Sequence, residues 1–236
     1  MTVDHVYGRN AVREAVRGRR EVIELWVTER ALAAEAWLRD EPGVRVQLKP
    51  ERALTGEVGT RDHQGVVARV APYRYADGYE LARDERPLLV CLDQVTDPHN
   101  LGAVARSAVG AGATGVVVPA HGSVRVTPAV SRASAGAIEH VAIAVVPNLA
   151  RFLTEVKGSD LWVWGAASDG GSLLWDTDLA GGVAFVLGAE GKGLRPLVRR
   201  ACDGIVSIPL GGRIDSLNVS VAAAVLLYEA RRQRRG

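Results

Sequence analysis

Three segments of the sequence combine glycine with amide, hydroxyl and charged side chains, and each follows a run of apolar residues. They are residues 94–107 (QVTDPHNLGAVARS), 188–194 (GAEGKGL) and 214–220 (IDSLNVS). Glycine lets a backbone approach a ligand closely or take a positive φ. Carboxylate, amide and guanidinium groups can orient a substrate and handle a proton. The three segments are therefore the places where chemistry is expected.

The polar side chains of these segments are the candidate site residues, although several have a simpler structural interpretation. Asn100 and Ser216 could cap the helices that follow them, and Arg106 could belong to a surface ion pair. Glu190 is harder to explain as structural, because a carboxylate between glycines has little packing to do. The candidates are Asn100, Arg106, Glu190, Ser216 and Asn218.

The glycine spacing of the second segment argues against two common nucleotide-binding classes. Gly188, Gly191 and Gly193 form GxxGxG, whereas the dinucleotide loop that follows a strand has GxGxxG. The sequence contains no GxxxxGK[ST], and Lys192 is followed by glycine rather than by a hydroxyl residue for magnesium. A kinase or a nucleotide-dependent oxidoreductase is therefore disfavoured.

The elements that must position these segments alternate regularly from Pro87 onward. Most predicted strands are continuous apolar runs, as in parallel strands buried on both faces. Strand–helix alternation predicts an α/β fold, whose ligands bind beyond the carboxyl ends of the strands, where the three segments fall. The predicted strands are 88–93, 115–119, 141–146, 161–166, 183–188 and 204–209, and the predicted helices are 100–111, 128–138, 149–157, 194–201 and 217–234.

The N-terminal part predicts a second, smaller α/β unit. A helix capped by Asn10 is expected first, followed by strands at 22–28, 44–48 and 65–70 and a helix at 29–39. Arginines crowd the first helix and could contact RNA or simply be solvated. The expected division is a domain at 1–71, a linker at 72–86 and a domain at 87–236, and the candidate RNA contacts are Arg9, Arg13 and Arg17.

Composition sets weaker limits. The chain has 236 residues, 47% of them hydrophobic, and a net charge of +2, which is little for a nucleic-acid binder. Its first residues lack the apolar region of a signal peptide, and its longest apolar run, 221–228, is too short to cross a bilayer. Cys91 and Cys202 have no partners at metal-ligand spacing. A cytoplasmic protein with reduced thiols, no metal and no membrane partner is expected.

Together the three segments resemble, in order and spacing, the signature motifs of the SpoU/TrmH family, a branch of the SPOUT methyltransferases. The matching stretches are TDPHNLG with the later arginine, LGAEGKGL, and SIPL followed by SLNVS. Residues 7–15 (YGRNAVREA) and 62–70 (DHQGVVARV) resemble the L30e-like RNA-binding domain of the subgroup that methylates a guanosine ribose in 23S rRNA.

This resemblance implies more than the residues alone can show. It implies a C-terminal parallel-sheet SPOUT domain with a deep trefoil knot, S-adenosylmethionine as cofactor, and a homodimer whose active sites draw on both subunits. The five candidate site residues named above take the catalytic positions of the family. The cofactor is expected against the backbone around Ala166, Leu187, Gly188, Ile208, Leu210 and Leu217.

The activity implied is methyl transfer to a ribose 2′-hydroxyl of RNA, most directly of 23S rRNA. Because no cysteine lies in the three segments, base methylation through a thiol adduct is disfavoured. Arg106 could accept the hydroxyl proton, stabilise the developing oxyanion or grip a phosphate. A tRNA methyltransferase, a resistance-type rRNA methylase and a non-catalytic ribosome-assembly protein remain alternatives.

Overall fold

The computed structural model describes residues 3–40, 43–158, 160–169, 171–212 and 216–235. By its internal contacts the chain divides into two compact units. The first consists of residues 1–74 and 126–140, and the second of residues 75–125 and 141–236.

The first unit is built on a four-stranded mixed sheet in the order β1-β4-β2-β3. β1 and β2 run antiparallel to β4, and β3 runs parallel to β2. The core lies where helix α1 and this sheet meet, around Val6, Val12 and Leu25. The elements are β1 (Asp4–Tyr7), α1 (Arg9–Arg17), β2 (Val22–Val27), α2 (Glu29–Ala34), α3 (Trp37–Asp40), β3 (Arg45–Leu48), α4 (Glu51–Val58) and β4 (Val66–Val70).

The first unit departs from the sequence prediction at several elements. β1 and α4 were not predicted, and the helix expected at 29–39 is interrupted because Glu35 takes an extended conformation. The carboxylate of Glu35 accepts hydrogen bonds from Arg9 and from the Trp37 indole, which holds the break in place. Helix α1 begins at Arg9 after Gly8, so the prediction that Asn10 caps it was wrong.

Residues 126–140 belong to the first unit by their contacts, whereas the predicted domain boundaries place them within 87–236. They form α7 (Pro128–Ala133) and a 3-10 helix (Ala137–Glu139) where one helix at 128–138 was expected. The helix ends because Ala135 and Gly136 have positive φ values of 51° and 87°. The buried Arg20 and Glu139 side chains join in a two-pronged ion pair that fixes this segment to the rest of the unit.

The second unit contains a seven-stranded sheet in the order β7-β6-β5-β10-β8-β11-β9, and each pairing within it is parallel. The predicted α/β fold with a parallel sheet is thus confirmed, and three strands match their predicted ranges residue for residue. The strands are β5 (Leu88–Asp93), β6 (Gly115–Pro119), β7 (Ala142–Val146), β8 (Leu161–Ala166), β9 (Ser172–Leu173), β10 (Gly182–Gly188) and β11 (Gly204–Ser207).

Helices cover this sheet and complete its core. α5, α8 and α9 pack on a cluster that includes Phe152, Val163 and Val186, while α6 packs against α10 and α10 against β10. α5 lies inside the stretch expected to be a linker at 72–86, where it packs on β7 and α8. The helices are α5 (Gly78–Ala82), α6 (Pro98–Ala111), α8 (Leu149–Val156), α9 (Pro196–Ala201) and α10 (Val219–Arg234), with a 3-10 helix at Leu174–Asp176.

The strand order defines where a ligand would bind. From β5 the chain builds outward through β6 and β7, but β10 returns to lie between β5 and β8. The order therefore reverses between β5 and β10, and in open α/β sheets ligands occupy the crevice at such a point. The segment after β5 and the segment after β10 are the first two of the three chemically interesting segments.

Candidate active site

The first segment turns sharply from β5 into α6. Gln94 has a positive φ of 60°, and Asp97 caps the helix by accepting a hydrogen bond from the His99 backbone N–H at 2.8 Å. Pro98 occupies the first helical turn, where its missing N–H costs nothing. Asn100, expected as the cap, instead lies within the first turn of α6, so its side chain is released for other contacts.

The second segment is a closed turn at the end of β10. The Ala189 carbonyl accepts from the backbone N–H groups of Lys192 at 3.3 Å and Gly193 at 2.9 Å. Gly191 and Gly193 have positive φ values of 72° and 64°, which explains why glycine occupies both positions. Glu190 is carried on this turn.

The third segment ends at the start of α10. Asn218 is the helix cap: its Oδ1 accepts from the Ser220 N–H at 2.9 Å and from the Ser220 hydroxyl at 2.6 Å. The prediction that Ser216 caps this helix was wrong, because α10 begins at Val219 and Ser216 is exposed ahead of it. Residues 213–215, part of the predicted segment, lie outside the described residues.

The three segments meet in one hydrogen-bonded cluster formed by Asn100, Glu190 and Asn218. The Asn218 amide Nδ2 donates to Asn100 Oδ1 at 3.0 Å and to Glu190 Oε1. Asn100 Nδ2 donates to the same Glu190 oxygen at 3.3 Å. Side chains from the first turn of α6, the turn after β10 and the start of α10 are thereby held in a fixed arrangement.

The cluster leaves acceptor capacity for a ligand. Both amide donors address Oε1 of Glu190, and among the described residues no donor addresses its Oε2. An ionised carboxylate can accept about four hydrogen bonds. Oε2 can therefore receive a hydroxyl group of a bound molecule without disturbing the bonds that orient Glu190.

Arg106 and Ser216 are not brought into this cluster. Arg106 is exposed on α6, and six residues along a helix place it roughly 120° around the axis from Asn100. Within the part of the chain that the structure describes, its guanidinium makes no hydrogen bond or ion pair. Ser216 likewise has no described contact with Asn100, Glu190 or Asn218.

The residues expected around the cofactor lie at neighbouring strand ends. Leu187 pairs with Ala166, and Gly188 pairs with Asp93. Val206 also pairs with Ala166, so Ile208 follows immediately beyond the same edge. Leu187 is buried, Ile208 and Leu210 follow β11 and are half-buried, and the half-buried Leu217 lies just before α10.

These residues fit an adenosine-containing cofactor. The half-buried side chains of Ile208, Leu210 and Leu217 keep apolar surface that an adenine ring can contact, and backbone groups beyond the last strand pairs can hydrogen-bond it. Gly188 must be glycine, since an added Cβ would lie 2.1 Å from the Gly193 backbone. Gly191 and Gly193, by contrast, have open space beside them, so the turn leaves room for a ligand.

Sequence reasoning missed three polar residues beside the cluster: Asp93, Arg195 and Ser220. Asp93 is fully buried and accepts hydrogen bonds from Arg195. A carboxylate that ends a continuous apolar strand was a usable signal for Asp93. Nothing in the sequence pattern pointed to Arg195, whose partner lies about one hundred residues earlier in the chain.

Thiol chemistry is disfavoured by the surroundings of the two cysteines. Cys91 is fully buried and Cys202 half-buried, and both are free. Burial raises the pKa of the Cys202 thiol to about 11 and raises the pKa of Cys91 as well. Because the thiolate is the nucleophile, neither cysteine is suited to attack a base.

Three other features bear on the class of site. Among the described residues there is no group of three or more potential metal ligands, and none of the described helices is long and apolar enough to span a bilayer.

A GxGxxG spacing does occur at residues 110–115. It leads from the end of α6 into β6, the reverse of the strand-to-helix order of a dinucleotide loop.

Fold and site together define a parallel-sheet α/β protein with a polar candidate site at the reversal point of its strand order. The chain belongs to the SpoU rRNA methylase family, whose sequence profile matches residues 87–228. A second profile, that of the RNA 2′-O ribose methyltransferase substrate-binding domain, matches residues 5–76. The family resemblance of the three segments is thereby confirmed.

Individual relatives agree with this assignment. The 23S rRNA (guanosine-2′-O-)-methyltransferase RlmB of Shewanella oneidensis is 48% identical over 155 residues, which cover 66% of this chain and 63% of the relative. The chain thus matches slightly less than two thirds of that relative's length. The TrmH family protein YacO of Bacillus subtilis is 41% identical over 98% of this chain and 96% of its own.

A solved structure extends the likeness to the fold. The SpoU methyltransferase AviRb from Streptomyces viridochromogenes, crystallised with its cofactor AdoMet, is 28% identical to this chain. The superposition has a TM-score of 0.81 and covers 98% of this chain and 90% of AviRb.

Proposed function

We propose that this protein transfers a methyl group from S-adenosylmethionine to the ribose 2′-hydroxyl of a guanosine in 23S rRNA. The observation that carries the proposal is the Asn100–Glu190–Asn218 cluster at the β5–β10 crevice of a SpoU family chain. The RlmB relative supports the substrate, and the AdoMet bound to AviRb supports the cofactor.

The cofactor would lie against the strand ends at Ala166, Leu187 and Gly188, with Ile208, Leu210 and Leu217 supplying apolar contacts. When bound it supplies an electrophilic methyl group on a sulfonium. The chain's own task is to place the ribose oxygen in line with that methyl, and positioning of this kind can contribute roughly 7–11 kcal/mol. Glu190 Oε2 is a suitable acceptor for a ligand hydroxyl. Ser216 lies within the third segment, two residues before Asn218.

For Arg106 we propose electrostatic stabilisation rather than proton abstraction. A guanidinium stays protonated in proteins, so it is poorly suited to act as a base. As a cation with several donors it can stabilise an oxyanion that develops on the ribose or hold a neighbouring phosphate.

Arg106 would act in a homodimer, because it lies away from the cluster of its own chain. It shares a face of α6 with Val109, which is 37% exposed although apolar. The Tyr228 side chain of α10 lies against Gly110 of α6 and is 51% exposed. Val221, two turns earlier on α10, is 49% exposed. We propose that this apolar patch pairs with a second copy, as the family resemblance implies, and brings Arg106 to the partner's cluster.

The first unit would grip the RNA. A cleft of about 860 Å³ opens beside the start of α1, α2 and α4, and its charged lining consists of three cations, Arg9, Arg30 and Lys49, and two carboxylates, Glu29 and Glu51. Of the three arginines predicted to contact RNA, Arg9 lines this cleft, whereas Arg13 and Arg17 do not. Arg9 is already paired with Glu35, so we propose Arg30 and Lys49 as the principal phosphate contacts.

We expect the double variant Arg30→Glu, Lys49→Glu to bind 23S rRNA fragments at least about tenfold more weakly, since each phosphate contact contributes to counterion release. The slope of log affinity against log salt should fall by about 2. Fluorescence anisotropy at several salt concentrations measures both. Arg19→Glu, an exposed change beyond the other end of α1, is the matched control. Equal losses in both proteins would contradict a specific cleft.

The proposed reaction predicts transfer of about one labelled methyl group from S-adenosylmethionine to each 23S rRNA isolated from a strain lacking this gene. Mapping of 2′-O-methyl positions then identifies the nucleotide. Label on tRNA instead would favour the tRNA enzyme, and label at a resistance site would favour that class. A protein that binds RNA but not S-adenosylmethionine would be the ribosome-assembly alternative.

A further inference from the structure

An ion pair with one buried partner adjoins the turn that carries Glu190. Asp93, the last residue of β5, is fully buried, and its carboxylate receives three contacts from Arg195. The Arg195 backbone N–H donates to Oδ2 at 2.9 Å, and the guanidinium donates to Oδ1 from Nε and Nη2, both at 2.7 Å.

This arrangement is more than a surface salt bridge. A buried carboxylate is costly unless it is paired and hydrogen-bonded. Among the described residues, only Arg195 donates to the Asp93 carboxylate. A planar guanidinium is well matched to a carboxylate, since its donors are held in a rigid fork. The side chain of Arg195 remains 43% exposed, so the pair joins the buried end of a strand to the surface turn.

The pair fixes the C-terminal end of the turn to β5. Where the turn begins, Gly188 is held to Asp93 by strand pairing. Where it ends, Arg195 immediately precedes α9 and is held to the same Asp93 by hydrogen bonds. The intervening residues 189–194 are therefore fixed at both ends to one residue of β5, and Glu190 and the glycines have little freedom to move.

We infer that Asp93 and Arg195 are a positioning pair for the cofactor turn: they hold Glu190 and the backbone at Gly188 in the geometry that receives S-adenosylmethionine. The inference rests on the proposed function for its ligand. The effect of the pair on the mobility of the turn is independent of that function and can be measured in the protein without cofactor.

Arg195→Lys tests the pair, because lysine keeps the positive charge but lacks the planar guanidinium that places two donors on the Asp93 carboxylate. In the full-length protein, hydrogen exchange of the backbone amides in residues 189–194 should accelerate about tenfold without cofactor. The dissociation constant for S-adenosylmethionine, measured by calorimetry, should rise about tenfold. Turnover at saturating cofactor and the KM for RNA should stay within about threefold, a split that loss of a catalytic group would not produce. Asp93→Asn should shift the same readouts further.

Arg200→Ala, an exposed change on the same helix α9, is the control and should alter none of these readouts. Circular dichroism establishes which variants fold. If Asp93→Asn does not fold, Arg195→Lys decides. Unchanged exchange in a folded Arg195→Lys protein overturns the inference. Accelerated exchange in a protein whose wild type does not bind S-adenosylmethionine upholds the pair and overturns the proposed function.

Discussion

Replacing Arg106 by alanine is expected to lower methyl transfer at saturating substrates by a factor of about 100 to 1,000, the usual cost of removing one donor to a developing oxyanion. The affinity for S-adenosylmethionine should stay within a few-fold of wild type. Arg106 lies on α6 away from the strand ends at Leu187 and Gly188, so its loss leaves the proposed cofactor surface intact. Single-turnover assays and calorimetry measure the two quantities separately.

Arg106→Lys distinguishes the possible roles of this residue. If the guanidinium stabilises an oxyanion or a phosphate, lysine should restore part of the rate because the positive charge remains. The rate should then show little dependence on pH near neutrality. A base at this position would instead give lysine a strong rise in rate as the solution approaches the range in which an ammonium deprotonates.

The matched control is Arg151→Ala, another exposed arginine, which lies on α8 and whose guanidinium pairs with Glu155 four residues on. Its activity should be close to that of the wild type. An Arg106→Ala protein with near-normal turnover would remove Arg106 from the proposed mechanism, whatever the behaviour of the control.

The parallel sheet was predictable because burial of a strand on both faces leaves a visible pattern of apolar residues in its sequence. β5, β6 and β8 were predicted without error in their bounds. β5 and β6 are buried along their whole length and therefore read as continuous apolar runs. β9 was missed since it has only two residues, both exposed. The order of the strands, which locates the site between β5 and β10, depends on long-range pairing that no local pattern encodes.

Which residue caps a helix was less predictable, because several polar residues precede each helix in the site. Asp97 and Asn100 could both cap α6, and Ser216 and Asn218 could both cap α10. The structure uses Asp97 and Asn218 as caps. Asn100 thus points its amide at Glu190, and Asn218 serves as cap through its oxygen and as cluster member through its nitrogen.

Contacts between residues far apart in the sequence account for the rest. The Arg20–Glu139 pair draws residues 126–140 into the first unit, and the Asp93–Arg195 pair closes the cofactor turn. In each pair, the sequence around the arginine has no pattern that indicates a distant carboxylate partner. Only the folded chain brings the two side chains together.

The proposed dimer predicts that two inactive variants can restore activity to each other. Arg106→Ala lacks the cation, and Glu190→Ala lacks the cluster. If Arg106 of one subunit serves the cluster of the other, a mixed dimer contains one site with both defects and one site with neither. Random mixing should then recover about a quarter of wild-type activity, because about half of the dimers are mixed and half of their sites are intact.

Tagging the two chains differently and isolating the mixed dimer should raise the recovery to about one half. The negative control is the pair Glu190→Ala and Asn218→Ala: both residues belong to one cluster within one chain, so every site in that mixed dimer carries a defect. Recovery with the first pair but not with the second requires sharing between subunits. If both mixed dimers stay inactive, Arg106 must act on the cluster of its own chain, and α6 would have to turn or shift for the guanidinium to reach Glu190.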